Sequence, residues 1–156
     1  MAKMIDNKPS WKGEGKVWES LSANLPGDNV VYNQREVNGR EYDFCVMAEN
    51  LGLVIIEVKG WDPDKIDVRG VDNIIVDGYD APQTSPKKQA RAYRFAILNK
   101  IVEKYNASPL VLDMVCYPFI SQEQYVRTKL DIVSEPEYTI FKEDIEDGKK
   151  LMISSF

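Results

Sequence analysis

The chain has 156 residues, 44% of them hydrophobic and 29% charged, with a formal net charge of −5, two cysteines and no histidine. That size suits one domain with a core buried without disulfides, and no apolar run approaches the roughly 20 residues of a spanning helix, nor does the N-terminus carry an apolar leader, so a cytoplasmic setting without membrane contact is expected. The lack of histidine removes the usual zinc sites, imidazole-based triads and histidine acid–base chemistry, and the negative charge weighs against holding nucleic acid by bulk electrostatics.

Val17, Leu21 and Leu25 lie at helical spacing in the segment from Trp11 to Leu25, which Pro26-Gly27-Asp28 closes, and this predicts a first helix. Asn29 to Gln34, Arg40 to Ala48 and Leu53 to Lys59 read as three strands, with turns at Asn38-Gly39 and Glu49-Asn50-Leu51-Gly52. Cys45 lies in the second strand and Cys116 in a later apolar run, where a thiol behaves as a small hydrophobe. From Asp62 to Pro86 the Asp, Gly and Pro content predicts a strand-and-turn excursion, with short strands around Ile66-Asp67-Val68 and Asn73-Ile74-Ile75-Val76. A long helix follows from Pro86 to Tyr105, its sheet-facing stripe being Ala90, Tyr93, Ile97, Ile101 and Tyr105. Leu110 to Tyr117 is nearly continuous in apolar residues, as an interior strand covered on both faces would be. Ser121 with Gln124 resembles a capping box, and Thr139 to Phe156 reads as a strand end and a last helix. The C-terminal Ile153-Ser154-Ser155-Phe156 has no clear cap or polar tail, and the natural polypeptide is expected to continue. The sum is an α/β fold with helices against a mixed sheet.

Side chains alternate along a strand, so Glu57 and Lys59 leave the third strand on one face. A hairpin loop of Glu49-Asn50-Leu51 would pair Asp43 opposite Glu57, with Cβ atoms within about 5.5 Å. Two adjacent carboxylates repel, and desolvation adds to the cost of ionising both, so the pair calls for a cation. Hard oxygen donors without imidazole or thiolate favour Mg²⁺, with Mn²⁺ as substitute, and the Val58 carbonyl is a further candidate ligand. A metal lowers the pKa of bound water and neutralises phosphoryl charge while a neighbouring ammonium orients a nucleophile, which outlines phosphodiester hydrolysis.

Gly13-Glu14 at the start of the first helix, Tyr42-Asp43-Phe44, the run from Gly52 to Gly60 (Gly-Leu-Val-Ile-Ile-Glu-Val-Lys-Gly) and Pro86-Lys87-Lys88-Gln89-Ala90 follow the order and spacing of a known family. In these motifs the chain resembles the nuclease-related domain, NERD, of the PD-(D/E)XK nuclease superfamily. The resemblance implies a restriction-endonuclease-like mixed β-sheet flanked by helices. It implies Asp43 and Glu57 as metal ligands, Lys59 as the catalytic lysine, Glu14 as a helix carboxylate near the metal, and Gln89 as a site residue at a helix N-terminus. Tyr42 replaces the superfamily's proline before its aspartate, a proline that is often absent there. The implied activity is Mg²⁺-dependent hydrolysis of DNA, which the isolated domain would bind weakly. The alternative is a non-catalytic nucleic-acid-binding or protein-interaction module joined to a helicase or another DNA-processing protein.

Other readings compete for single residues. Glu57 and Lys59 alone would also suit a structural salt bridge, and an acid in a helix's first turn is favoured by the dipole whatever its function. Lys87, Lys88, Arg91 and Arg94 form a basic cluster that suits either a phosphate backbone or a solvated helix face. Trp11, Trp18 and Trp61 read as core or edge packing, with Trp61 the one placed to stack on a base.

Overall fold

A computed structural model describes residues 1–37, 39–48, 52–106 and 109–148. In chain order the elements are β1 (Lys3–Met4), α1 (Lys12–Asn24), β2 (Val30–Asn33), β3 (Glu36–Val37), β4 (Arg40–Glu41), β5 (Phe44–Ala48) and β6 (Gly52–Val58). There follow β7 (Ile66–Gly70), β8 (Asn73–Val76), α2 (Pro86–Tyr105), β9 (Val111–Cys116), α3 (Gln122–Arg127), β10 (Thr139–Ile140) and α4 (Lys142–Asp147). The main sheet runs β1-β2-β5-β6-β9-β10 and is mixed: β5 is antiparallel to both of its neighbours, β2 and β6, whereas β6–β9, β9–β10 and β1–β2 are parallel. The parallel β6–β9 pair is possible because the β7–β8 hairpin and α2 supply the long connection that parallel strands need.

Strand alternation divides the core. Val46, Val54, Ile56, Met114 and Cys116 face α1 and α4, whose Val17, Leu21 and Ile145 complete that layer. Cys45, Ile55 and Val111 face the other way, toward Ile97 of α2. A third cluster joins Val68, Ile74 and Val76 of the β7–β8 hairpin to Val115, Tyr117 and Tyr125. Ser85 caps α2 by accepting from the Lys88 N–H at 3.3 Å, and Pro86 takes the first turn, where a missing N–H costs nothing. Ser121 and Gln124 form the capping box of α3.

The β5–β6 register pairs Ala48 with Gly52 and Phe44 with Ile56, as a loop of residues 49–51 requires; that loop and residue 38 of the earlier turn lie outside the described residues. Gly52 has φ 127°, and a Cβ there would come within 2.2 Å of the Leu110 carbonyl oxygen, so only glycine fits.

Two expectations need correction. The strand from Arg40 to Ala48 is interrupted at Tyr42 and Asp43, because Asp43 turns its carboxylate onto the Val58 N–H at 2.7 Å and its own carbonyl accepts from Gln34 N–H at 3.0 Å. Tyr105 is 66% exposed: the helical stripe outruns the sheet beneath it, and Ile101 is its last member packed on the core. The last helix is described to Asp147, and residues 149–156 of the predicted segment lie outside the described residues.

Candidate active site

The site lies at the C-terminal end of β6, where α1 begins. Glycines allow the approach: a Cβ on Gly13 would stand 3.2 Å from Gly60 Cα and 3.4 Å from the Phe119 ring. The first turn of α1 therefore lies against the exit of β6, and Glu14 comes into one pocket of about 540 Å³ with Asp43, Glu57, Val58 and Lys59. Lys59 Nζ is 3.4 Å from Glu57 Oε1, while Glu57 Oε2 is buried without a hydrogen-bond partner among the described residues.

The electrostatics follow from burial plus like charge. Burial, then the charge of Asp43, pushes the Glu57 carboxyl up to about 8, against a smaller downward pull from Lys59. Burial also raises Asp43, opposed chiefly by the Val58 N–H. Glu14 is raised by burial and by the charge of Asp43, against a downward pull from the Gln34 amide. Three carboxyl groups thus meet one ammonium in a space where full ionisation is unfavourable. Among the described residues, no group of three or more Asp, Glu, Cys or His side chains is arranged as a preformed metal cage. The fit to a divalent cation lies in the donor set, hard oxygens with one buried lone oxygen on Glu57, rather than in ready geometry.

Of the residues singled out in the sequence, Glu14, Asp43, Glu57, Val58 and Lys59 come together. Gln89 does not line this pocket; its amide donates to Thr84 Oγ1 at 3.1 Å, and the pocket wall is formed instead by Gln83. The basic cluster is largely neutralised. Lys87 is buried and holds Asp113 at 2.5 Å, Arg94 stands 3.5 Å from the same carboxylate, and Lys88 pairs with Asp72. Trp61, expected as core or edge packing, is 4% exposed and packs on Tyr117. Two features escaped the sequence reading. Gln34, in a left-handed conformation with φ 54°, donates its amide to Glu14 at 3.0 Å. Trp11 and Tyr79 flank the same pocket as exposed rings. A polar residue after a strand and an aromatic in a turn carry no periodic signal that would have marked them.

A mixed sheet with helices on both faces, bearing an aspartate beside a Glu-x-Lys strand end, defines a restriction-endonuclease-like domain. The model of the nuclease-related domain, NERD, matches residues 9–118, and the chain belongs to that family. No curated protein and no solved structure matches it.

Proposed function

We propose that this domain is a divalent-metal-dependent hydrolase of DNA phosphodiester bonds, acting in the cytoplasm. The observation that carries the reading is the meeting of Glu14, Asp43 and Glu57 carboxyls with the Lys59 ammonium in one pocket. Asp43 and Glu57 would hold Mg²⁺ or Mn²⁺, with Glu14 and the Val58 carbonyl as further ligands. Bound there, the ion would lower the pKa of water and offset phosphoryl charge. Lys59 orients the attacking water or stabilises charge developing on the phosphate. Gln34 holds the Glu14 carboxyl in place, and the Asp43 carboxylate is fixed by the Val58 N–H.

The test is cleavage of DNA at low salt in Mg²⁺ and Mn²⁺. Wild type is expected to cleave and to gain melting temperature from the ion by mass action, and Asp43→Ala and Glu57→Ala are expected to lose both. A second reading, an accessory module serving a helicase or similar neighbour, draws on the net charge of −5. Metal-dependent stabilisation without cleavage would favour it.

A further inference from the structure

The mouth of the carboxylate pocket carries two large aromatic side chains in solvent. Trp11, at the N-cap of α1, is 73% exposed, and Tyr79, in the turn after β8, is 57% exposed. Neither belongs to a core cluster, yet both line the pocket whose carboxyl groups include Asp43 and Glu57. Further along the wall, the Phe119 ring lies under two cations, with Lys12 Nζ 5.8 Å and Lys16 Nζ 5.4 Å from its centroid. Isolated exposed aromatics need no explanation, but two lining one polar pocket suit stacking on a ligand's rings.

Charge narrows the ligand. Of the α2 cations that would otherwise track a phosphate backbone, Lys87 and Arg94 are paired with Asp113 and Lys88 with Asp72, and the chain is acidic. Attraction from counterion release is therefore small, and stacking must contribute much of any affinity. A base inside a duplex presents its faces to its neighbours in the stack, so only an unpaired base can lay a face on a protein ring. A volume of about 540 Å³ is that of a small-ligand pocket, suited to a nucleotide rather than to a double helix.

We propose that this pocket takes an unpaired DNA strand, with Trp11 and Tyr79 stacking on the bases that flank the phosphate presented to Asp43 and Glu57. The identity of the bound strand rests on the geometry of the mouth; only the fate of the phosphate rests on the hydrolase reading above.

The test uses fluorescence anisotropy at low salt in EDTA with a labelled single strand, the same strand in a duplex, and the same strand with central abasic sites. Binding is measured for wild type, Trp11→Ala and Tyr79→Ala, and cleavage of the first two oligonucleotides is followed in Mn²⁺. Wild type should prefer the single strand to the duplex by about tenfold or more, and each substitution should weaken single-strand binding about tenfold. The abasic strand should bind wild type and Trp11→Ala alike, and the melting temperature of Trp11→Ala should be unchanged. Equal binding of duplex and single strand, or substitutions without effect, overturns the proposal. Cleavage with no preference for the single strand overturns it and leaves the hydrolase reading standing. Single-strand binding that needs Trp11 and the bases, with no cleavage in either metal, supports it while overturning the hydrolase reading.

Discussion

Two buried carboxylates sit on neighbouring parallel strands, Glu57 on β6 and Asp113 on β9, and each faces a lysine. They are 6% and 3% exposed, so burial does not distinguish them. Their company does. Asp113 is held by Lys87 at 2.5 Å and Arg94 at 3.5 Å, while Lys87 also stands 3.6 Å from Glu135 and 4.8 Å from the centre of the Tyr138 ring. Glu57 shares one lysine with two other carboxyl groups. The fold itself supplies the counter-charge that fastens α2 to β9, whereas at the β6 exit it leaves an excess of acid that only protons or an added cation can relieve.

The largest expected effect lies on the structural side. Lys87→Ala leaves Asp113 buried with only Arg94 at a longer distance, and breaking such a pair costs about 3–5 kcal/mol, here toward the lower end. Urea unfolding should show this as a lower midpoint with an unchanged slope. Lys59→Ala should behave oppositely, because Glu57, raised to about 8, already holds a proton near neutral pH and is not left as an unpaired buried charge. Unfolding should scarcely change, while metal-dependent cleavage falls about a hundredfold or more. A large stability loss in Lys59→Ala with full cleavage would make the Glu57–Lys59 pair another structural fastening.

Much of this contrast was legible in the sequence on one side only. Alternation placed Glu57 and Lys59 on one face, and the hairpin length gave the register that brings Asp43 to them, since both are local rules. The Lys87–Asp113 pair joins residues 26 apart across a crossover. Its lysine read as part of a solvated or phosphate-facing cluster because one-dimensional spacing does not reveal what lies beneath a helix. Asp113 was likewise hidden in an apolar run. Gln89 and Gln83 illustrate the same limit: the motif pointed to the helix N-terminus, and the loop before it reached the pocket instead.

The next effect is a pH dependence confined to the acidic site. Glu57 is raised to about 8 from an ordinary 4.5, so between these values the unfolded chain is ionised while the folded one keeps its proton. The native state binds more protons there, and metal-free stability should fall as pH rises from about 4.5 to 8, with a slope approaching 1.4 kcal/mol per unit at most. Glu57→Gln should flatten this part of the profile and raise the melting temperature near pH 8. Saturating Mg²⁺ in wild type should flatten it as well, since the ion favours the ionised carboxylates. A wild-type profile already flat across this window would show that Glu57 ionises readily without a cation.

The smallest effect on stability probes whether the acidic site contains strain that serves its geometry. Gln34 adopts φ 54°, a left-handed conformation unfavourable for a residue with a Cβ, yet its side chain is exposed and gains no core packing. What the conformation does provide is an amide placed 3.0 Å from Glu14 Oε2, where it holds the Glu14 carboxyl down. Gln34→Gly removes both the strain and the amide. The glycine should leave stability unchanged or raise it by up to about 1 kcal/mol, because it adopts this conformation freely. With the amide gone, one brake on Glu14 protonation is lost, so its carboxyl should rise further above the ordinary range and cleavage should fall several-fold, recovering in part at higher pH. Melting curves and a pH–rate profile read the two halves separately. A Gln34→Gly protein as active as wild type across that profile would reduce Gln34 to a turn residue and leave Glu14 positioned by α1 alone.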